Sequence, residues 1–134
     1  MEFSALKERA LAYAKYQEVN RFVAFGSVAS AILTTQGNVY VGISIDTACS
    51  MGFCAEHSAI AEMLKHQEVQ IAKLIAVTES GEVVPPCGRC REFATQLSPA
   101  NYQTQVMVHA DTIVPMVDLL PFDWKPTVDK SWST

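Results

Sequence analysis

Cys54-Ala55-Glu56-His57-Ser58-Ala59-Ile60-Ala61-Glu62-Met63-Leu64, followed at a distance by Pro86-Cys87-Gly88-Arg89-Cys90-Arg91, decides the reading of this chain. The first stretch is rich in Ala, Glu, Met and Leu, which are good helix formers, and predicts a helix over 54–66. The second predicts a helix over 87–97, ended before Ser98-Pro99. Each helix therefore opens at a cysteine. Free N–H groups and the positive dipole end at a helix start favour anions, so thiols there lose their protons more easily. Cys54, Cys87 and Cys90 supply three soft metal ligands, and Glu56 supplies an acid/base group. A zinc ion that catalyses hydrolysis needs three protein ligands and a position left open for water. A carboxylate beside that water moves its protons.

Working outward, residues 4–20 predict an amphipathic helix, with Ser4 as N-cap and Leu6, Ala10, Tyr13 and Ala14 at helical spacing. Residues 28–34 and 39–45 predict two strands, joined as an antiparallel hairpin by Gln36-Gly37-Asn38. A loop over 46–53 leads into the first helix. Residues 73–78 predict a buried strand, 79–86 a loop and 105–109 another strand. Pro115 suits the first turn of a short helix through Leu120, stopped by Pro121, and the tail over 126–134 reads as irregular. Helix and strand alternate after the hairpin, which implies parallel strands joined by crossovers. The expected fold class is α/β: a three-layer α/β/α sandwich on a mixed sheet of about five strands with an N-terminal hairpin. The ligands then lie at helix starts, where open α/β sheets place their sites.

The chain has 134 residues, 49% of them apolar, which fits one domain over 1–134 with a core of its own. No stretch is apolar for long enough to span a bilayer, and the charged start of the chain does not read as a secretory signal. A cytoplasmic location follows as the default, and thiols stay reduced there. Four cysteines in that setting point to metal or catalysis more than to disulfides. Net charge is −4, and the ten Lys and Arg residues are scattered. A polynucleotide-binding surface normally shows a basic stripe, so a small-molecule substrate is favoured over nucleic acid, and no membrane partner is expected.

Glu56 sits two residues after Cys54, too close to share the metal with it without distortion but near enough to reach the water. Away from a metal pattern, the same glutamate would simply complement the helix dipole. Three thiolates around Zn²⁺ leave one net negative charge, which opposes ionisation of water there. Arg89 is placed to offset that charge by hydrogen bonding to a thiolate, or else is a solvated helix residue. His57 is either a neighbour of the thiolates or a helix-surface residue. Cys49 is expected to be a buried free thiol. His66 should meet helix-end carbonyls, His109 should be structural, and Met63, Met107 and Met116 should be core. Two other classes use the same residues: a module with structural zinc closed by His57 or Cys49, and a dithiol oxidoreductase using Cys87 and Cys90.

Together, Cys54-x-Glu56 and Pro86-Cys87-x-x-Cys90 resemble the cytidine deaminase superfamily in its small tetrameric branch. Ser27-Val28-Ala29-Ser30-Ala31 is similar to the first strand of blasticidin S deaminase, and Leu119-Leu120-Pro121 to a family ending. The resemblance implies zinc held by Cys54, Cys87 and Cys90, with Glu56 as proton shuttle. It also implies hydrolytic replacement of the C4 amine of a free cytidine-like nucleoside, and a homotetramer. The corresponding compound could instead be a modified cytosine such as blasticidin S. Where the family carries Asn-x-Glu on the second strand, this chain has Ser44-Ile45-Asp46, and His57 stands where an arginine is frequent. Ser27, Ser44, Asp46, Ala55 and Trp124 are the substrate contacts the resemblance implies. Phe25, Phe53, Phe122 and Trp124 are the aromatics available to stack on a base.

Overall fold

In the computed structural model, which describes residues 1–133, β2 (Val23–Thr34) forms the axis of the sheet. Its side chains alternate between two apolar clusters. Ala29, Ala31 and Leu33 pack with Phe3, Leu6 and Ala10 of α1 (Phe3–Leu11) on one face. Ile32 packs with Ala59, Ile60 and Met63 of α2 (Ala55–Lys65) on the other. β4 (Ile71–Thr78) repeats the pattern, with Ile75 and Val77 towards α1 and Leu74 towards α2. This is the period of two expected of strands buried on both sides. α3 (Gly88–Leu97) adds Phe93, Ala94 and Leu97 to the α2 side, so the three-layer α/β/α arrangement is present.

The sheet is mixed. β3 (Val39–Thr47) lies outside β2 and antiparallel to it, and β4 flanks β2 on the other side, again antiparallel. β5 (Gln105–His109) runs parallel to β4, and β6 (Thr112–Pro115) closes the far edge antiparallel to β5. A two-residue strand, β1 (Gln17–Glu18), adds to β2 at Phe25 and Ala24. Because β3 and β4 are both antiparallel to β2, they run the same way, and α2 crosses over between them. The alternation in the sequence thus marked a real crossover, although β2 lies between its strands.

Four local expectations change. Ser4, expected as the cap of the first helix, lies inside it, because the helix begins at Phe3 with Glu2 in the cap position. The first helix stops at Leu11 rather than at residue 20, because Gln17 and Glu18 are taken into the sheet; Tyr13, expected on its apolar face, is exposed. β6 replaces the start of the short helix: Pro115 ends an edge strand, where its missing N–H costs no ladder bond, and a 3-10 turn covers Met116–Leu119. The tail expected to be irregular carries a helical turn, α4 (Lys125–Val128), and a 3-10 turn at Lys130–Trp132; Thr134 lies outside the described residues. Among the described residues, no helix is long and apolar enough to cross a membrane.

Two features aim the site. The β2–β3 register slips between Phe25 and Ala29, around Gly26 at φ +86°. A Cβ on Gly26 would fall 2.1 Å from the Lys15 carbonyl oxygen, so both backbone angle and space demand glycine. Ser44 repairs the gap: its Oγ accepts from Val28 N–H at 3.0 Å and pairs with Ser27 Oγ at 3.1 Å. At Gly42 of β3, an added Cβ would lie 2.3 Å from Ala59 N and 2.6 Å from Ala55 O. That closeness lets the start of α2 rest directly on the edge strand.

Candidate active site

Cys54 and Cys87 are the N-cap residues of α2 and α3, with extended backbone at φ −72° and −68°. Their carbonyls take the first helical bonds: His57 N donates to Cys54 O at 3.1 Å, and Cys90 N and Arg91 N donate to Cys87 O at 3.1 Å. The thiols are thus presented at two helix starts, and each helix begins one residue later than expected, with its cysteine as the cap. The Cys54 and Cys87 sulfurs lie 3.5 Å apart, those of Cys87 and Cys90 3.6 Å, and those of Cys54 and Cys90 within 4.8 Å. All three are free thiols, far from the roughly 2.05 Å of a disulfide. Sulfurs each about 2.3 Å from a tetrahedral zinc would be about 3.8 Å apart, so this donor set fits zinc.

Glu56, in the first turn of α2, is 4% exposed and borders a cavity of about 530 Å³. Cys54, Ala55, Cys87 and Arg89 border the same cavity, with Val28, Ile45, Phe53, Val84 and Pro85 as its apolar wall. Burial pushes the Glu56 carboxyl above its ordinary range, against a smaller opposing effect of a hydrogen bond with Cys90. Such a carboxyl holds and releases protons closer to neutrality than a solvated one. Burial also raises the Cys90 thiol strongly, with the Glu56 charge adding to it. Cys87 is pushed up by burial but ends below its ordinary value, because the backbone N–H groups of Cys90 and Arg89 and the two neighbouring thiols favour the thiolate. Cys54 is raised, first by burial and then by Cys87.

Arg89 therefore acts on a thiolate through its backbone, and the residue also borders the cavity. The imidazole beside the sulfurs is His57, whose Nδ1 lies 3.4 Å from Cys90 Sγ. Burial, and next the Arg89 charge, lowers its pKa and favours the neutral ring. Arg91 was missed as a site residue. Its Nε donates to Pro86 O at 2.7 Å and its Nη1 to Leu119 O at 3.2 Å, tying the segment before Cys87 to the turn after β6. Only its place beside Cys90 hinted at this.

The residues read as substrate contacts separate. Ser44, Asp46 and Ala55 border the cavity. Ser27 does not, and its hydroxyl meets Ser44 instead. Trp124 lies outside it and donates through Nε1 to Glu92 Oε1 at 3.0 Å, in its own chain. Phe53 is the one of the four candidate aromatics in the wall. Thr47 and Ser50, which the sequence did not single out, also border the cavity. Thr47 ends β3 and Ser50 lies in the turn after it, within a segment closed by Ile45 and Phe53, which exchange backbone bonds at 3.0 and 2.9 Å. Cys49, expected to be buried, is exposed there with φ +62°.

A family model for the cytidine and deoxycytidylate deaminase zinc-binding region matches residues 3–108. A cytidine deaminase of Halalkalibacterium halodurans is 32% identical over 99 residues, 72% of this chain and 69% of the relative. Among solved structures, a cytidine deaminase from Burkholderia pseudomallei superposes with a TM-score of 0.74 at 26% identity, covering 92% of this chain and 99% of the other. A mutant cytidine deaminase from Mycobacterium tuberculosis gives 0.77 at 25% identity, covering 92% and 94%. The family match runs from α1 through both cysteine-capped helices into β5, and the chain belongs to the cytidine and deoxycytidylate deaminase zinc-binding family.

Proposed function

We propose that this chain is a zinc-dependent hydrolase that replaces the C4 amine of a free cytidine-like nucleoside by a carbonyl, releasing ammonia. The observation that carries this reading is the buried Glu56 carboxyl in one cavity with Cys54 and Cys87, and Cys90 Sγ 3.6 Å behind Cys87 Sγ. Cys54, Cys87 and Cys90 would hold the metal. Zinc bound there supplies Lewis-acid activation of water. Glu56 would take one proton from the attacking water and pass it to the ring nitrogen, then carry the second, from the hydroxyl added at C4, to the amine that leaves as ammonia, a task its raised carboxyl pKa suits. The apolar wall of Val28, Ile45 and Phe53 receives the flat ring and excludes bulk water. Asp46, an acceptor at the mouth, takes the sugar hydroxyls. One domain over the whole chain, cytoplasmic surroundings that keep the thiols reduced, and a homotetramer complete the reading. Phe122, fully exposed, and Trp124, 53% exposed, support association.

A second reading, a modified cytosine with a larger ring substituent, has its own observation. The cavity shares Asp46 and Thr47 with an adjoining cleft of about 330 Å³. One experiment covers both. Purified protein is analysed for zinc and assayed for ammonia release from cytidine, deoxycytidine and cytosines of increasing substituent size. About one zinc per chain and turnover on at least one of them are expected; metal-free active protein would sink the reading. Glu56→Gln should keep the zinc and lose about 100- to 10,000-fold in kcat. Near-native turnover with zinc retained would remove Glu56 from its role.

A further inference from the structure

His57 follows Glu56 on α2, and its ring packs against Phe93 of α3 with centroids 4.8 Å apart and planes tilted by 40°. That packing holds Nδ1 3.4 Å from Cys90 Sγ. Cys90 needs such a neighbour more than the other two cysteines do. It is fully buried, whereas Cys54 and Cys87 border the open cavity. A buried charge without hydrogen-bond partners is costly. Cys87 receives backbone N–H groups, but the Glu56 carboxyl and the two other sulfurs beside Cys90 all work against a charge on it. His57, Cys54 and Cys90 also form a compact set within 4.8 Å, so imidazole could in principle bind a metal directly. Cys87 already stands beside both other sulfurs, however, and His57 does not border the cavity from which water and substrate arrive.

We propose that His57 is a positioning residue whose Nδ1–H donates to the Cys90 sulfur, fixing that ligand and drawing charge from a three-thiolate zinc site without itself binding the metal. This rests on the zinc-site reading above. Replacement by Asn keeps an N–H donor close to the place of Nδ1; replacement by Leu has nearly the same volume and no donor. In chelator competition without substrate, His57→Leu should hold zinc about 10- to 100-fold less tightly, as is typical when a ligand's hydrogen-bond partner is lost. It should lose kcat by a similar factor with KM little changed, while His57→Asn retains most of both. With cobalt(II) in place of zinc, the thiolate-to-metal absorption of His57→Asn should match the native protein and that of His57→Leu should shift.

Equal losses in the two variants, or native behaviour of His57→Leu, would overturn the proposal. A measurement on the native zinc-loaded protein needs no variant to fold: NMR of isotope-labelled histidine should find the proton on Nδ1. A bare Nδ1, or one coupled to cadmium exchanged for the zinc, would assign His57 as a ligand and defeat the proposal. If the protein binds zinc in this donor-dependent way yet deaminates no cytosine compound, the substrate reading fails and the role of His57 stands.

Discussion

Ser44 and Asp46 stand two residues apart on β3, and both border the cavity, but their oxygens do different work. Ser44 is 8% exposed, and its Oγ is engaged by Val28 N–H and Ser27. Ser44→Ala leaves a backbone donor without its partner at the β2 bulge, a loss of about 1–3 kcal/mol. The melting temperature should fall, and KM should change little for any folded protein. Asp46 is exposed. Asp46→Ala should leave melting and zinc content unchanged and raise KM for a nucleoside; unchanged kinetics on the best substrate would show that this position does not read the sugar. The sequence presented these residues as equivalents, because the register slip around Gly26 that consumes the Ser44 hydroxyl has no local signature. That the three cysteines and Glu56 come together was legible for the opposite reason. Ligation and proton transfer restrict residue type and spacing tightly, whereas a hydroxyl can serve a substrate or a neighbouring strand equally well.

Cys54 and Glu56 share one element, α2, which carries the first at its cap and the second in its first turn. Its position is set from outside by Gly42, against which Ala55 O and Ala59 N nearly touch. Gly42→Ala must push the helix away from β3, since the added Cβ would meet backbone atoms that cannot rotate aside. Overpacking of this kind costs about 1–3 kcal/mol. The consequence is not confined to stability: both Cys54 and Glu56 move relative to Cys87 and Cys90 on α3. We expect weaker zinc binding and lower kcat in a protein that still folds, read by chelator competition and ammonia release. Intact zinc affinity alongside a lowered melting temperature would show that the helix tolerates displacement. α2 and α3 could be read from composition, because their apolar faces agree with local propensity. The end of α1, together with β1 and β6, could not. Gln17 and Glu18 gain their structure only by pairing with β2, and β6 only by pairing with β5.

Across the whole molecule, the last residues hold the second cysteine-capped helix from outside. Lys125 Nζ donates to Glu92 Oε2 at 2.8 Å and to Asp123 Oδ1 at 3.1 Å, and Tyr102 donates to Asp123. Trp124 reaches Glu92, Trp132 Nε1 donates to Thr95 O at 2.7 Å, and Arg91 reaches Leu119. Glu92, Thr95 and Arg91 all belong to α3, so the tail is a strap over the helix that presents Cys87 and Cys90. Lys125 is 5% exposed, and removing it takes away the cation shared by the Glu92 and Asp123 carboxylates; the Asp123 side chain is buried and that of Glu92 partly so. Lys125→Met should therefore cost about 3 kcal/mol at neutral pH, as for other broken buried pairs. The pH dependence separates charge from packing. Burial alone would raise Glu92 and Asp123, but hydrogen bonds, from Lys125 among others, leave both below their ordinary values. Depressed carboxylates stabilise the fold above their unfolded pKa values and lose that contribution as pH falls through the depressed ones. In Lys125→Met the same carboxylates are no longer held down, and protonation relieves them instead. The melting deficit of the variant should thus be largest near neutrality and shrink as pH drops through the carboxylate range. A deficit that stays constant with pH would mean that the lysine stem packs the strap and its charge contributes nothing.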